Sequence, residues 1–209
     1  MTYIVHRMEL SKQSYWESVY DNDMRVMNDT GDVGEIWFGE HVHDIMVATA
    51  VRYNRHNGRC IDLGCGNGAI SEALRHENIE CDGVDFSPSA IALARKAFPN
   101  GHYFVQDLLE WQVIRTYDIV LDKGTLDAIY LSDNEADVDC YLRTVTRLLS
   151  NNGHFIITSC NLTETELIDM VPLNHCETYP HPKIEFMGHS GSKVTTCVFS
   201  HIDMNINKA

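Results

Sequence analysis

Residues 61–68, I-D-L-G-C-G-N-G, constrain the fold of this chain more than any other stretch of its sequence. A short apolar run at residues 59–63 predicts a strand, and a helix is predicted to begin at about Ala69. Glycine lacks a Cβ atom and takes positive φ, so three glycines allow a tight turn whose backbone N–H groups point at a ligand. These groups lie near the positive end of the next helix. The pattern predicts a cofactor-binding turn.

Two classes of cofactor fit this turn. Gly64, Gly66 and Ala69 match the dinucleotide pattern G-x-G-x-x-G/A, and Asp85 follows about 20 residues later, where it could hold a ribose hydroxyl. Asp62, Gly64, Gly66 and Gly68 also match the tighter E/D-x-G-x-G-x-G turn of S-adenosylmethionine (SAM) methyltransferases. A carboxylate repels a pyrophosphate but attracts SAM, which carries a sulfonium and a cationic amino group. Asp62 therefore favours SAM, while a nicotinamide enzyme and a purely structural turn remain alternatives.

From residue 59 onward, strand and helix signals alternate, which predicts a mostly parallel sheet flanked by helices. Strands are predicted at residues 59–63, 80–84, 102–105, 117–121 and 154–159, and helices at residues 69–77, 88–97, 135–149 and 163–170. Ser87 is the expected N-cap of the second of these helices, with Pro88 at its first position. Residues 178–187 and 193–202 predict a final antiparallel hairpin at the sheet edge. This ending is typical of class I SAM methyltransferases, so we expect that single-domain, Rossmann-like α/β fold.

The chain is expected to divide into an N-terminal segment, residues 1–58, and a SAM-binding core, residues 59–209, within one structural domain. Helices are predicted at about 11–19 and 42–53 of the N-terminal segment, around an irregular, acidic and aromatic stretch at 21–40. This stretch could close over the cofactor site or pack as a cover on a face of the sheet. The sequence leaves both alternatives open.

Composition excludes several other classes of protein. The chain of 209 residues carries a formal charge of −14, with 16 basic against 30 acidic residues, which argues against nucleic acid as a partner. No apolar run is long enough to span a membrane, and the first residues lack the apolar region of a secretory signal. Seven scattered cysteines indicate reduced thiols, so we expect a cytoplasmic protein. We also expect a monomer. The eleven histidines show no metal-ligand spacing, and His41 and His43 are expected at the surface.

Because ligands bind at the carboxyl ends of parallel strands, the polar residues that follow the predicted strands should surround one cleft. Asp85 is expected to accept hydrogen bonds from both ribose hydroxyls, and Asp107 from the adenine amino group, with Leu108 packed on the ring. The predicted cofactor-binding residues are Trp37, Asp62, Gly64, Cys65, Gly66, Asn67, Gly68, Asp85, Phe86, Asp107 and Leu108.

Asp122 follows the fourth predicted strand, where methyltransferases place the group that meets the methyl acceptor. If the acceptor is a lysine amine, with a reference pKa of about 10.4, its deprotonation at pH 7 costs roughly 4–5 kcal/mol. A carboxylate could orient the ammonium group before the proton leaves. Asp122 is therefore the predicted catalytic residue, and a helix-capping role for it is the alternative.

Three runs together resemble one family: residues 32–40 (DVGEIWFGE), 62–68 (DLGCGNG) and 122–129 (DKGTLDAI). They are similar to the eukaryotic elongation factor 1-alpha lysine methyltransferase 2 family, also called methyltransferase-like protein 10. Residues 159–163 and 185–191 extend the resemblance, whereas Leu162 and His189 depart from the expected aromatic residue and lysine.

The resemblance implies SAM-dependent methylation of a lysine on elongation factor 1-alpha, a protein expected to be basic, in the cytoplasm. Glu35, Phe38 and Lys123 are the predicted substrate-binding residues, and Trp37 is expected to wall the lysine channel beside Phe38. The alternative to this wall is that Trp37 and Phe38 are buried against the sheet. A small-molecule methyltransferase and a catalytically silent SAM-binding module are the alternative functions.

Overall fold

The computed structural model describes residues 9–54, 57–132, 134–181, 185–186, 189–190 and 194–201. The helices are α1 (Gln13–Thr30), α2 (Glu40–Tyr53), α3 (Ala69–His76), α4 (Pro88–Ala97), α5 (Thr125–Tyr130), α6 (Glu135–Leu148) and α7 (Glu164–Met170). The strands are β1 (Cys60–Leu63), β2 (Cys81–Asp85), β3 (His102–Val105), β4 (Tyr117–Lys123), β5 (Leu149–Ser159), β6 (Asn174–Pro180), β7 (Glu185–Phe186), β8 (His189–Ser190) and β9 (Thr195–Ser200).

Seven of these strands form one sheet in the order β3-β2-β1-β4-β5-β9-β6. Strands β1 to β5 pair in parallel, and β9 runs antiparallel to both β5 and β6. The chain order reverses beside β1, so the turn after β1 opens at the point where α/β sheets bind ligands. The fold prediction, a mostly parallel sheet closed by a C-terminal antiparallel pair, is confirmed. The small β7–β8 pair lies in the connection between β6 and β9. Residues 182–184, 187–188, 191–193 and 202 of the predicted hairpin and its turn lie outside the described residues.

Helices cover both faces of the sheet. One core cluster joins the sheet to α6, where Tyr141 and Leu148 are fully buried. The opposite cluster contains Met46 and Ala50 of α2, also fully buried, against Ile119 and Ile156 of the sheet. Helix α2 is therefore part of the packing of the sheet.

Helix α1 is the main difference from the sequence prediction, because it continues through residues that were expected to be irregular. It ends at Gly31, which has φ +82° and whose N–H bonds to the Met27 carbonyl. Trp16, Tyr20, Met24 and Met27 recur at helical spacing and pack on α4. The acidic residues that suggested a loop lie between these apolar positions. Only residues 31–39 of the predicted stretch lie outside regular helix.

The other differences lie at element boundaries. Helix α5 was not predicted, β5 begins at Leu149 rather than at residue 154, and β6 spans Asn174–Pro180 rather than 178–187. The Ser87 cap is confirmed, because its hydroxyl accepts the Ala90 N–H. Thr163 caps α7 in a reciprocal capping box with Glu166. Within the described ranges, no helix is long and apolar enough to cross a membrane.

Candidate functional site

The glycine turn follows β1 directly. The N–H groups of Gly64 and Cys65 both donate to the Val84 carbonyl, at 2.8 and 2.9 Å, which ties the turn to β2. Gly64 and Gly66 have φ of +69° and +53°, a region that disfavours other residues. A Cβ atom on Gly66 would lie 2.5 Å from the Tyr20 hydroxyl, and one on Gly64 would collide with the Thr125 hydroxyl. Gly68 ends the turn as the N-terminal cap residue of α3.

A cavity of about 350 Å³, the main cavity, opens at the carboxyl ends of the central strands. Three parts of the chain line it: the ends of β1 to β3, the β4–α5 junction, and the N-terminal segment. Predicted site residues in its wall are Trp37, Phe38, Gly64, Asp85, Phe86, Asp107, Leu108 and Lys123. A small pocket of about 40 Å³ reaches under the turn and is lined by Glu35, Trp37, Asp62, Gly64, Cys65, Gly66, Asn67 and Lys123 among others. Gly68 and Asp122 are in the lining of neither space.

Asp85 supports the turn and faces the main cavity. Its Oδ2 accepts the Gly66 N–H at 3.0 Å, and its Oδ1 accepts the Ser87 N–H at 2.9 Å. Burial raises the pKa of Asp85 to about 6, against the opposing effect of these backbone hydrogen bonds. A carboxylate oxygen can accept more than one hydrogen bond, so the same group can still accept from ligand hydroxyls. Asp107 lines the cavity beside Leu108, and its Oδ1 accepts the Leu109 N–H at 2.8 Å.

Asp62 and Lys123 place opposite charges at the small pocket. Asp62 is 2% exposed, and no side chain or N–H group of the described residues donates a hydrogen bond to its carboxylate. Burial raises the pKa of Asp62, partly offset by the Lys123 charge, and burial lowers the pKa of Lys123. The Lys123 ammonium donates to the Trp37 carbonyl at 3.1 Å and lies 5.9 Å from the centre of the Phe38 ring.

The structure does not place Asp122, the predicted catalytic residue, in the cleft. Its side chain is fully buried, its Oδ1 accepts the Thr125 N–H at 2.8 Å, and its Oδ2 accepts the Leu126 N–H at 3.0 Å. The Tyr141 hydroxyl donates to the same Oδ2 at 2.5 Å. Burial raises the pKa of Asp122 to about 7. The carboxylate is used to hold the first turn of α5 against α6, so the expectation that it meets an acceptor at the open end of the cleft is corrected.

The N-terminal segment closes one side of the main cavity. Trp16 stacks on Tyr20 at a ring distance of 6.1 Å and meets the Trp37 ring edge-on at 5.1 Å. The Gln13 amide donates to the Phe86 carbonyl at 2.8 Å, which fixes the start of α1 at the end of β2. Trp37 is 38% exposed and lines the cavity, so it is not buried against the sheet. Of the stretch at 21–40, residues 31–39 therefore border the cavity, and residues 21–30 belong to α1, which packs on α4. The cover on the face of the sheet is α2.

Sequence reasoning missed a polar wall opposite the glycine turn. Asp127 is 4% exposed and lines the main cavity with Ser132, Cys160 and Asn161. Its Oδ1 accepts the Ser159 hydroxyl, and its Oδ2 accepts the Cys160 N–H at 2.8 Å. The D-K-G-T-L-D run at residues 122–127 could have indicated this residue, because Asp127 lies about one helical turn after the end of β4.

Of the two histidines that were predicted at the surface, His41 is exposed and His43 is buried. His43 is 8% exposed, which corrects its expected surface position, and its Nδ1 has no hydrogen-bond partner in the described structure. Burial lowers the pKa of His43. His41 is exposed, and its ring meets the His181 ring at 6.1 Å. Within the part of the chain that the structure describes, no group of three or more His, Cys, Asp or Glu could hold a metal ion.

The geometry of the sheet and of the glycine turn defines the class of protein. The sheet order, the turn after β1 and a carboxylate at the end of β2 are those of class I SAM-dependent methyltransferases, and the residues present fit SAM. The fit rests on the buried Asp62 carboxylate without a donor, on a glycine turn that leaves no room for Cβ atoms, and on Asp85. A family model described as a methyltransferase domain matches residues 54–204.

Two solved structures share the fold. The N-methyltransferase NodS of Bradyrhizobium japonicum, in complex with S-adenosyl-L-homocysteine, superposes with a TM-score of 0.67 at 15% identity, over 87% of this chain and 97% of that one. A TehB-like SAM-dependent methyltransferase of Corynebacterium glutamicum gives a TM-score of 0.65 at 20% identity, over 89% and 98% of the two chains.

The relatives narrow the class further. EEF1A lysine methyltransferase 2 of Danio rerio is 32% identical over 93% of this chain and 89% of its own length. Protein-lysine N-methyltransferase efm4 of Schizosaccharomyces pombe is 32% identical over 96% and 97%. The chain belongs to the EEF1A lysine methyltransferase 2 family, and the resemblance stated from its sequence is confirmed.

Proposed function

We propose that this protein is a SAM-dependent protein-lysine N-methyltransferase that acts on translation elongation factor 1-alpha in the cytoplasm, as a monomer. The names of its relatives support the substrate. The observation that carries the proposal is the main cavity, which joins the glycine turn and Asp85 to the polar wall around Asp127 in one continuous space. Such a space can bring a cofactor and an acceptor side chain together.

The cofactor half of the cavity is built from the ends of β1, β2 and β3. Asp85 is held by two backbone N–H groups in the position to accept ribose hydroxyls, and Asp107 and Leu108 are candidates for the adenine ring. Bound SAM would supply a methyl group on a sulfonium that is already a good leaving group. The chain therefore has to align the acceptor and exclude water, and acid catalysis of the leaving group is not needed.

The acceptor half contains one buried carboxylate, Asp127. Its two bonds to Ser159 and Cys160 fix the side chain in place, and the group remains in the cavity wall. We assign to Asp127 the orienting role that the sequence suggested for Asp122. A carboxylate attracts the cationic ammonium of an incoming lysine and fixes its nitrogen, because opposite charges interact strongly in a partly dry site.

The rim of the cavity fits a basic protein. Glu35 is exposed at the small pocket, and Trp37 and Phe38 stand beside it on residues 31–39. Together with the net charge of −14, this rim would speed the encounter with a basic surface, an effect that salt screens over about 8 Å. Trp37 and Phe38 would then wall the channel that admits the lysine side chain.

Labelling a cell lysate tests the proposal against its alternatives. The purified protein and radiolabelled SAM should label one band at the size of elongation factor 1-alpha, and Gly66→Val should remove the label. Label only in small molecules would support a small-molecule methyltransferase instead. SAM binding without any transfer would support a catalytically silent module.

A further inference from the structure

Residues 31–39 form a strap that connects α1 to α2 and borders the small pocket beside the glycine turn. The side-chain amide of Asn67, in the turn, donates from Nδ2 to the Val33 carbonyl at 3.2 Å and to the Glu35 carbonyl at 3.5 Å. The Lys123 ammonium donates to the Trp37 carbonyl at 3.1 Å. Side chains from the turn after β1 and from the end of β4 therefore fix the backbone of the strap.

The strap depends on such contacts for its shape, because it contains no regular helix or strand. Phe38 has φ +67°, a left-handed conformation that is disfavoured for a residue with a Cβ atom. A backbone of this kind persists when the surrounding structure determines it. The Phe38 ring lies against Gly124, where an added Cβ atom would be 3.0 Å from its Cζ. The conformation of the strap is therefore set from outside the strap.

The Asn67 amide is bonded on both of its sides. Its Oδ1 accepts the Ala69 N–H at 3.2 Å, in the first turn of α3, while its Nδ2 faces the strap. The amide group is planar, so the bond at Oδ1 sets the direction in which Nδ2 points. Asparagine supplies an acceptor and a donor together, whereas an ionised aspartate supplies acceptors alone. The residue type at this position therefore fits a bridge between the glycine turn and the strap.

We propose that Asn67 is a positioning residue for the protein substrate, because its amide holds the strap in the conformation that receives it. The proposal rests on the proposed function, in which Glu35, Trp37 and Phe38 of the strap form the rim and the lysine channel. A strap that is fixed before the substrate arrives does not have to be ordered on binding. The proposal moves the Asn67 amide from the cofactor contacts, where the sequence placed it, to the substrate side.

A pair of matched substitutions isolates this role. Asn67→Asp keeps the oxygen that accepts the Ala69 N–H, but it turns a carboxylate oxygen towards two carbonyl groups in place of the donor. Asn134→Asp is the control. The Asn134 Oδ1 accepts the Ala136 N–H at the same distance of 3.2 Å, and Asn134 lines neither the main cavity nor the small pocket. Both variants add one negative charge and keep a local cap, and the strap contact is lost in Asn67→Asp.

Hydrogen exchange and kinetics give two independent readouts. Without any substrate, the amides of residues 31–39 should exchange faster in Asn67→Asp and at the unmodified rate in Asn134→Asp. Asn67→Asp should raise KM for elongation factor 1-alpha about 10-fold, with a smaller change in kcat. Its SAM affinity should be retained or increased, because the added carboxylate lies beside a cationic cofactor.

Unchanged exchange of the strap, or an unchanged KM for the factor, would overturn the proposal. Weaker SAM binding with an unchanged KM would overturn it as well and make the Asn67 amide a cofactor contact. If Asn67→Asp does not fold, Asn67→Ser, which keeps a hydroxyl acceptor near the Ala69 N–H and lacks the amide donor, should give the same two changes. If the unmodified protein leaves the factor unmethylated, the proposed function fails, and the exchange of the strap still decides whether Asn67 holds it.

Discussion

Replacement of Gly64 by alanine tests whether the glycine turn has the geometry described. The left-handed φ of +69° costs an alanine about 1–2 kcal/mol. The new Cβ atom also displaces the Thr125 side chain, whose hydroxyl donates to the Leu63 carbonyl at 2.7 Å. Loss of this bond costs about 0.5–1.5 kcal/mol, and a strained Thr125 rotamer costs a similar amount. The expected loss of unfolding free energy is about 2–5 kcal/mol in all.

Gly31 provides the matched control. It has φ +82°, and a Cβ atom there would meet nothing within 4 Å. Gly31→Ala should therefore cost only the backbone contribution of about 1–2 kcal/mol. For a chain of this size, about 2–4 °C of melting temperature corresponds to each kcal/mol. Urea unfolding and thermal melting should place Gly64→Ala clearly below Gly31→Ala.

A double-mutant cycle identifies the collision. Thr125→Ala removes the hydroxyl that the new Cβ atom would meet, so Gly64→Ala should cost about 1–2 kcal/mol less in that background than in the unmodified chain. The reasoning is refuted if the two substitutions are additive, or if Gly64→Ala is no more harmful than Gly31→Ala.

Four further predictions concern ligand and substrate. Asp85→Ala should weaken SAM binding in calorimetry about 10- to 100-fold, because charge-assisted hydrogen bonds to ribose are lost. The control Glu77→Gln, at an exposed residue, should leave SAM affinity unchanged. Equal affinities of Asp85→Ala and the unmodified protein would exclude Asp85 from the SAM site. SAM affinity should fall as the pH drops from about 7 to about 5. The pKa of Asp85 is raised to about 6. Burial, with the charges of Asp122 and Asp85, also raises the pKa of Asp62, and the Lys123 charge opposes this. Binding favours their ionised forms and should release protons, so heats that do not depend on the buffer would contradict this. Asp127→Asn should lower turnover on a protein substrate about 10- to 100-fold with little change in SAM affinity, and Trp37→Ala should raise KM for the folded factor, whereas unchanged kinetics would remove either residue from the acceptor side.

The grouping of the predicted cofactor-binding residues at one edge of the sheet was predictable from sequence, because its signals are local. Asp62 near the end of β1 and the glycines of the turn lie within residues 62–68, and Asp85 ends the next strand, so the strand pattern alone brings them to one edge of the sheet. Ser87 and Pro88 likewise predict the start of α4, because a serine N-cap followed by proline at the first position is a local signal.

The proposed acceptor half depends on contacts between residues that are distant in the sequence. Asp122 looked accessible because it follows the predicted strand at 117–121, but in the structure it lies within β4. Its third hydrogen bond comes from Tyr141 on α6, which no short pattern reveals. Asp127 is positioned by Ser159 and Cys160, from the far end of β5. Helix α1 was truncated in the prediction because its acidic residues concealed the apolar stripe that packs on α4.

The most direct test of the proposed activity is transfer between purified components. The chain, SAM with an isotopically labelled methyl group, and unmethylated elongation factor 1-alpha are incubated together, and the proteolytic peptides of the factor are analysed by mass spectrometry. The account predicts label on the side chain of a lysine, lost with Gly66→Val and retained with Lys96→Met, since Lys96 lines neither the main cavity nor the small pocket. Elongation factor 1-alpha that stays unlabelled, while the same preparation binds SAM, would contradict the assignment of this chain as its lysine methyltransferase.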